Sequence, residues 1–182
     1  MLKLKYLNFV FNLFYLKLKY LSKISFKSLK VGIENGVIII IKGGKSKLIF
    51  NNMVYLMRNG NLEVYDNGLI EIGNNVSINK NFSIVSREKI KIGNNVSIGP
   101  NCCIYDHDHD FSKKEILIRN QGYKSKEIII EDDVWIASNV FIGKGIRIGS
   151  GAIIGAGAVV VNDVEENVIV AGIPAKKIKN RF

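Results

Sequence analysis

The stretch IEDDVWIASNVFIGKGIRIGSGAIIGAGAVV at residues 130–160 places an apolar anchor every six residues: Ile130, Ile136, Ile142, Ile148, Ile154 and Val160. The same step occurs upstream at Ile92, Ile98 and Ile104, and before that at Ile72, Ile78 and Ile84. Gly usually follows the anchor (Gly73, Gly93, Gly99, Gly143, Gly149, Gly155). Four positions after the anchor stands a small or β-branched residue, as at Val76, Val96, Cys102, Val134, Val140, Ala152 and Ala158. No α-helix has that period, and a plain strand repeats every two residues. A hexapeptide beat predicts an all-β parallel β-helix, in which three short strands and three corners make one coil. The anchors stack inside it. Gly and the pairs Asn74–Asn75 and Asn94–Asn95 take the corners, where positive φ is tolerated.

Outward from that stretch the beat is broken twice. Ile72 to Ile92 is two residues longer than an 18-residue coil, an excess placed at Ser86–Lys89. Ile104 to Ile130 spans 26 residues, so an excursion at roughly 106–127 leaves the coil; it opens with DHDHDF. A long loop on a rigid scaffold is usually functional or disordered. Over 31–71 the apolar positions fit six-residue steps only loosely, which predicts irregular β coils, and regular coils begin at Ile72. Residues 1–30 read as a short helical, amphipathic segment preceding one domain at 31–182.

The chain has 182 residues and 47% apolar content, enough for a single core. Its net charge of +10 is localised: residues 1–30 hold seven Lys and no acid, and the other 152 residues carry only +3. No zinc-finger spacing or aromatic RNA-binding pattern is present, so no nucleic-acid partner is expected. The adjacent Cys102 and Cys103 point to opposite faces of a strand and make no disulfide framework, which fits a reducing, cytoplasmic setting. The N-terminal apolar stretches are broken by Asn8, Asn12 and Lys17, too short for the ~20 residues a bilayer span needs. No signal-peptide cleavage pattern follows them. Two readings stay open: the segment packs on its own assembly or covers the open end of the β-helix, or it lies on a membrane surface with Lys facing anionic headgroups.

The repeat from IGNNVSI at 72–78 to IGAGAVVVND at 154–163 resembles the left-handed β-helix acyltransferases of the hexapeptide-repeat superfamily. The likeness is to sugar O-acetyltransferases of the maltose and galactoside type and to those that decorate surface polysaccharide. It covers residues 60–182 closely, 31–59 loosely and 1–30 hardly at all. It implies left-handed coils, a homotrimer with sites between neighbouring subunits, acetyl-CoA as co-substrate and direct transfer without a covalent enzyme intermediate. An alcohol acceptor then needs a base, and imidazole, with a reference pKa of about 6.5, suits the task. Both histidines lie at the start of the excursion. The family's catalytic histidine ends an Ile-x-x-x-x-His segment, which Ile104 to His109 reproduces, so His109 is the expected base and His107 the second candidate. Asp110 follows where the sugar enzymes often have Pro. Asp106, Asp108 and Arg119 are candidate acceptor contacts, and Asp106, Asp108 or Asp110 is placed to orient the ring. No metal is expected: zinc chemistry of the carbonic-anhydrase type needs three histidines, and the chain has two.

The resemblance also marks a donor site. Trp135, the only tryptophan, matches a residue lining the cleft between subunits, although a trimer-packing aromatic fits equally well. Ser138 matches a contact to acetyl-CoA, with Ala137 in place of the usual Gly. Ala156 lies in the segment along which the pantetheine arm runs, and Val161–Asn162 replace a family Thr-Lys pair. Lys176 and Lys179 in the basic tail match residues that approach the coenzyme's phosphates, where Lys acts as a point charge. The expected activity is O-acetylation of a sugar or surface-glycan hydroxyl. The alternatives are N-acetylation of an amino-sugar nucleotide, with the basic excursion (Lys113, Lys114, Arg119, Lys124, Lys126) meeting its phosphates, and a non-catalytic β-helix used for assembly.

Overall fold

The computed structural model describes residues 2–182, with side chains described from Val10 onward. Three parallel sheets run side by side, and the chain visits each in turn. The strands Ile24–Phe26, Val31–Ile33 and Ile38–Ile41 form the first coil, and five complete coils follow. The first and third sheets have six strands each, ending at Arg147–Ile148 and Val159–Val160. The second has eight, because Val168–Ala171 extends it and the tail strand Lys176–Asn180 folds back antiparallel as its edge. The expected all-β parallel β-helix is thus present over the described chain.

Alternation explains the core. Within each strand every second side chain points inward, and equivalent residues stack from coil to coil: Leu48 on Ile70, Ile90 and Ile128, and Phe50 on Ile72, Ile92, Ile130 and Ile148. All of these are buried, and each such side chain stabilises the fold by about 1.5–3 kcal/mol. Cys102 is one of the inward residues and Cys103 points out half-buried; both are free thiols.

Regular coils start earlier than the hexapeptide beat suggests. The step between equivalent residues is 24 from Ile24 to Leu48, 22 from Leu48 to Ile70, 20 from Ile70 to Ile90, and only then 18 from Ile130 to Ile148. Early strands have up to four residues instead of two, which lengthens the coil without disturbing its ladder. The excess near Ser86–Lys89 is of this kind: four-residue strands Ser83–Ser86 and Lys89–Ile92 flank a corner at Arg87 and Glu88.

The corners divide labour differently from the sequence expectation. Asn75, Asn95, Asn101 and Asn139 take positive φ, as do Gly145, Gly151 and Gly157. The Gly after the anchor does not; there the constraint is close stacking, and a Cβ on Gly73 would stand 2.3 Å from the carbonyl oxygen of Gly93. Asn side chains link successive corners, Asn81 to Asn101 at 3.0 Å and Asn101 to Asn139 at 3.0 Å.

The N-terminal helix Leu2–Tyr20 ends in a 3-10 turn at Leu21–Lys23, so the β-helix begins seven residues inside the stretch read as helical. Leu13 and Leu16 join the buried core at the level of Ile24, and Lys17 Nζ donates to Ile24 O at 2.7 Å. Tyr20 Oη donates to Ile39 O. One face of the helix therefore packs over the N-terminal end of the core.

Candidate active site

Ile104 is fully buried and fixes where the excursion starts. After it the strand Cys103–Tyr105 ends, Asp106 turns the corner, and His107–His109 pairs antiparallel with Tyr123–Ser125. The excursion is thus a hairpin rather than an open loop. Its neck is closed by Lys126 N donating to Asp106 O at 2.8 Å, and its strands by Asp110 N donating to Gly122 O at 2.9 Å. At the tip, the Gln121 side chain accepts from Lys113 N at 2.8 Å and donates to Lys113 O at 2.9 Å.

The Asp106 carboxylate, expected from the sequence as an acceptor contact, is fully buried and accepts from Ser86 Oγ at 2.7 Å, Arg87 N at 2.8 Å and Glu88 N at 3.0 Å. His107 Nδ1 lies 3.2 Å away. Burial raises the pKa of this carboxyl, but the bonds from His107, Arg87, Ser86 and Glu88 outweigh it and hold it below the ordinary value. Of the three aspartates placed to orient a ring, Asp106 does so, and the ring is that of His107. Asp108 is exposed and pairs with Lys144 on a neighbouring corner. Asp110 pairs with Lys124 at 3.1 Å; the Ser112 backbone and side chain, with Lys124, lower its pKa to about 2.

The two imidazoles differ in setting. His107 is 13% exposed, tilted against Tyr105 and edge-on to Tyr123 with centroids 5.4 Å apart. His109 is exposed and its ring lies 4.6 Å from that of Tyr123. Tyr123 is backed in turn by Arg87, whose guanidinium carbon sits 3.5 Å from the ring centroid. Arg87 also lies over Tyr65, pairs with Asp66, and buries an Nε that has no hydrogen-bond partner among the described residues. Sequence reasoning missed Arg87 and Tyr123 as supports of the histidines; the only trace was the extra length of coil at Ser86–Lys89. Arg119 lies exposed in the 3-10 turn Ile118–Asn120 of the excursion.

The donor candidates occupy other parts of the coil. Trp135, 54% exposed, stands on the second sheet between Ser97 and Ile153. It borders a cleft of about 350 Å³ lined also by Asn95, Asp133 and Arg181. Ser138 and Ala156 sit at adjacent corners between the second and third sheets, joined by Gly157 N donating to Ser138 O at 2.9 Å. Lys176 and Lys179 are exposed on the tail strand. The outward column Trp135, Ile153, Ile169, Lys179 puts Lys179 three strands from Trp135, about 14 Å at the usual strand spacing. The hairpin histidines, at the corner between the third and first sheets, belong to a different edge of the same chain. Among the described residues no group of three His, Cys, Asp or Glu side chains is placed to hold a metal ion.

Residues 127–162 match the family described as bacterial transferase hexapeptide (six repeats). No curated protein matches the chain. Among solved structures, a hexapeptide-repeat-containing acetyltransferase from Vibrio cholerae is 30% identical over 70% of this chain and 73% of its own, with a TM-score of 0.58. Its complex with acetyl-CoA aligns over 81% of this chain and 72% of its own at 28% identity and a TM-score of 0.64. A maltose O-acetyltransferase from Clostridium difficile 630 is 32% identical over 70% of this chain and 66% of its own, with a TM-score of 0.62. A galactoside acetyltransferase in complex with coenzyme A is 38% identical over 62% of this chain, with a TM-score of 0.58, and the match spans 56% of its length.

Proposed function

The chain belongs to the hexapeptide-repeat acetyltransferases, and from that premise we propose that it carries an acetyl group from acetyl-CoA to a hydroxyl of a sugar or surface glycan. The maltose and galactoside enzymes among its similar structures support the acceptor class, and the complexes with acetyl-CoA and coenzyme A support the donor. His109 takes the hydroxyl proton as the oxygen attacks the thioester carbonyl. The tetrahedral oxyanion, met by backbone N–H groups or water, collapses and expels the coenzyme thiolate, which the imidazolium protonates. The observation that carries this reading is an exposed imidazole on a hairpin that a buried carboxylate and an Arg–Tyr stack hold to the scaffold.

The histidines and the donor column lie on separate edges of one chain, so the working site forms between copies, in a homotrimer. The hairpin tip supports this, since Phe111, Leu117 and Ile118 are exposed there in one chain. The thioester meets Trp135 while Lys176 and Lys179 face the coenzyme's phosphates. One observation favours His107 instead: its Nδ1 is tied to Asp106, which fixes a tautomer with Nε2 as the acceptor.

Thiol release from acetyl-CoA with hydroxyl and amine acceptors, in the parent and in His109→Ala and His107→Ala, tests the proposal. Loss of a general base costs about 10²–10⁴ in rate. His109→Ala should lower kcat by that order with KM for acetyl-CoA little changed, and His107→Ala roughly tenfold or less. The rising acidic-to-neutral limb of the kcat/KM profile should vanish in His109→Ala. A folded His107→Ala that is the more damaged of the two exchanges their roles. Turnover of amines alone replaces O-acetylation by N-acetylation.

A further inference from the structure

The N-terminal helix has two apolar faces, and the coil uses only one. At 100° per residue, Leu13, Leu16 and Tyr20 share the side that packs on the first coil. Phe11, Phe14, Tyr15 and Leu18 fall on the opposite side, within about 100° of arc. These four are 58–66% exposed, and Leu21, just past the helix, is 67% exposed. Lys17 and Lys19 flank this outer stripe on either side. Residues 1–30 carry seven Lys and no acid.

We propose that this outer stripe docks the protein on an anionic membrane surface, with the helix lying in the plane of the headgroups. Aromatic and Leu side chains enter the acyl boundary while Lys19 at the flank reaches the phosphates. No described helix is long and apolar enough to cross a membrane, so the helix lies on the bilayer. Charge selects the occupant. Several copies of so basic a segment packed against one another repel, whereas a layer of acidic lipid attracts it. The inner face anchors the stripe rigidly to the β-helix, so docking fixes the orientation of the whole coil to the surface.

Sedimentation of the full chain with vesicles of pure phosphatidylglycerol or pure phosphatidylcholine tests this. The anionic vesicles should bind it at least about a hundredfold more tightly, the effect of some three lysines near such a surface, and salt should weaken the binding. Phe14→Glu with Leu18→Glu should bring binding to background while circular dichroism and turnover of a soluble acceptor stay unchanged. If the glutamates unfold the helix, Phe14→Ser with Leu18→Ser replaces them. The proposal fails if the full chain ignores phosphatidylglycerol at low salt, or if the variants bind as the parent does. It fails equally if the variants shrink the assembly in light scattering, because a second copy then covers the stripe.

Discussion

Replacing Asp106 by Ala leaves the backbone N–H groups of Arg87 and Glu88 without an acceptor, because both donate only to that carboxylate in the corner. Ser86 Oγ loses less, since Leu69 O remains at 3.1 Å. An orphaned buried donor costs about 1–3 kcal/mol, so two amount to about 2–6 kcal/mol. For a chain of this size each kcal/mol lowers Tm by about 2–4 °C, and Asp106→Ala should melt roughly 5–20 °C below the parent. Asp106→Asn keeps one acceptor oxygen and should fall about halfway. pH separates charge from shape. The folded pKa lies below the ordinary value, so the stabilisation is fully present above about pH 4 and is lost as pH falls through the folded pKa. The Tm gap between parent and Asp106→Asn should therefore narrow on acidification. Scanning calorimetry reads all three proteins. An Asp106→Ala variant melting within about 1 °C of the parent at neutral pH refutes the claim that this carboxylate holds the corner.

In solution the species should be a trimer of about 61 kDa, three times 20.4 kDa; a fully active monomer in light scattering removes the shared site. Lys176→Ala with Lys179→Ala should raise KM for acetyl-CoA much more than for its 3′-desphospho analogue, and equal effects would make the tail a solvated strand. Gly73→Ala should destabilise by about 1–3 kcal/mol as its Cβ forces the Gly93 carbonyl aside, whereas Gly157→Ala, with open space but positive φ, should cost about 1 kcal/mol. Chemical denaturation distinguishes the pair, and equal losses would contradict the stacking argument.

The anchors from Ile72 onward were legible because they keep a six-residue step within each coil, even where one coil is 20 residues long. The earlier coils hid because their strands are longer and their steps are 24 and 22; a varying step leaves no fixed period to find. The end of the helix at Tyr20 was also hidden: no Gly or Pro marks it, and Leu21 itself adopts φ 50. The hairpin strand His107–His109 is short and polar, so no alternation of apolar residues betrayed its pairing with Tyr123–Ser125. Spacing from Ile104 located the histidines but not their supports. Arg87 reaches Tyr123 from 36 residues away in sequence, a contact that only stacking of coils creates.

Ile90 and Ile128 are neighbours in one ladder although the whole hairpin lies between them. The core below the corner is indifferent to what leaves it and returns. The rung from Asp110 N to Gly122 O separates the tip from the strands that carry the histidines. A tip of another length or chemistry grafted beyond that rung would meet the same entry and exit and leave His107 and His109 in place. The scaffold therefore tolerates exchange of the hairpin tip, at the level of insertion and deletion, while every anchor stays where it is.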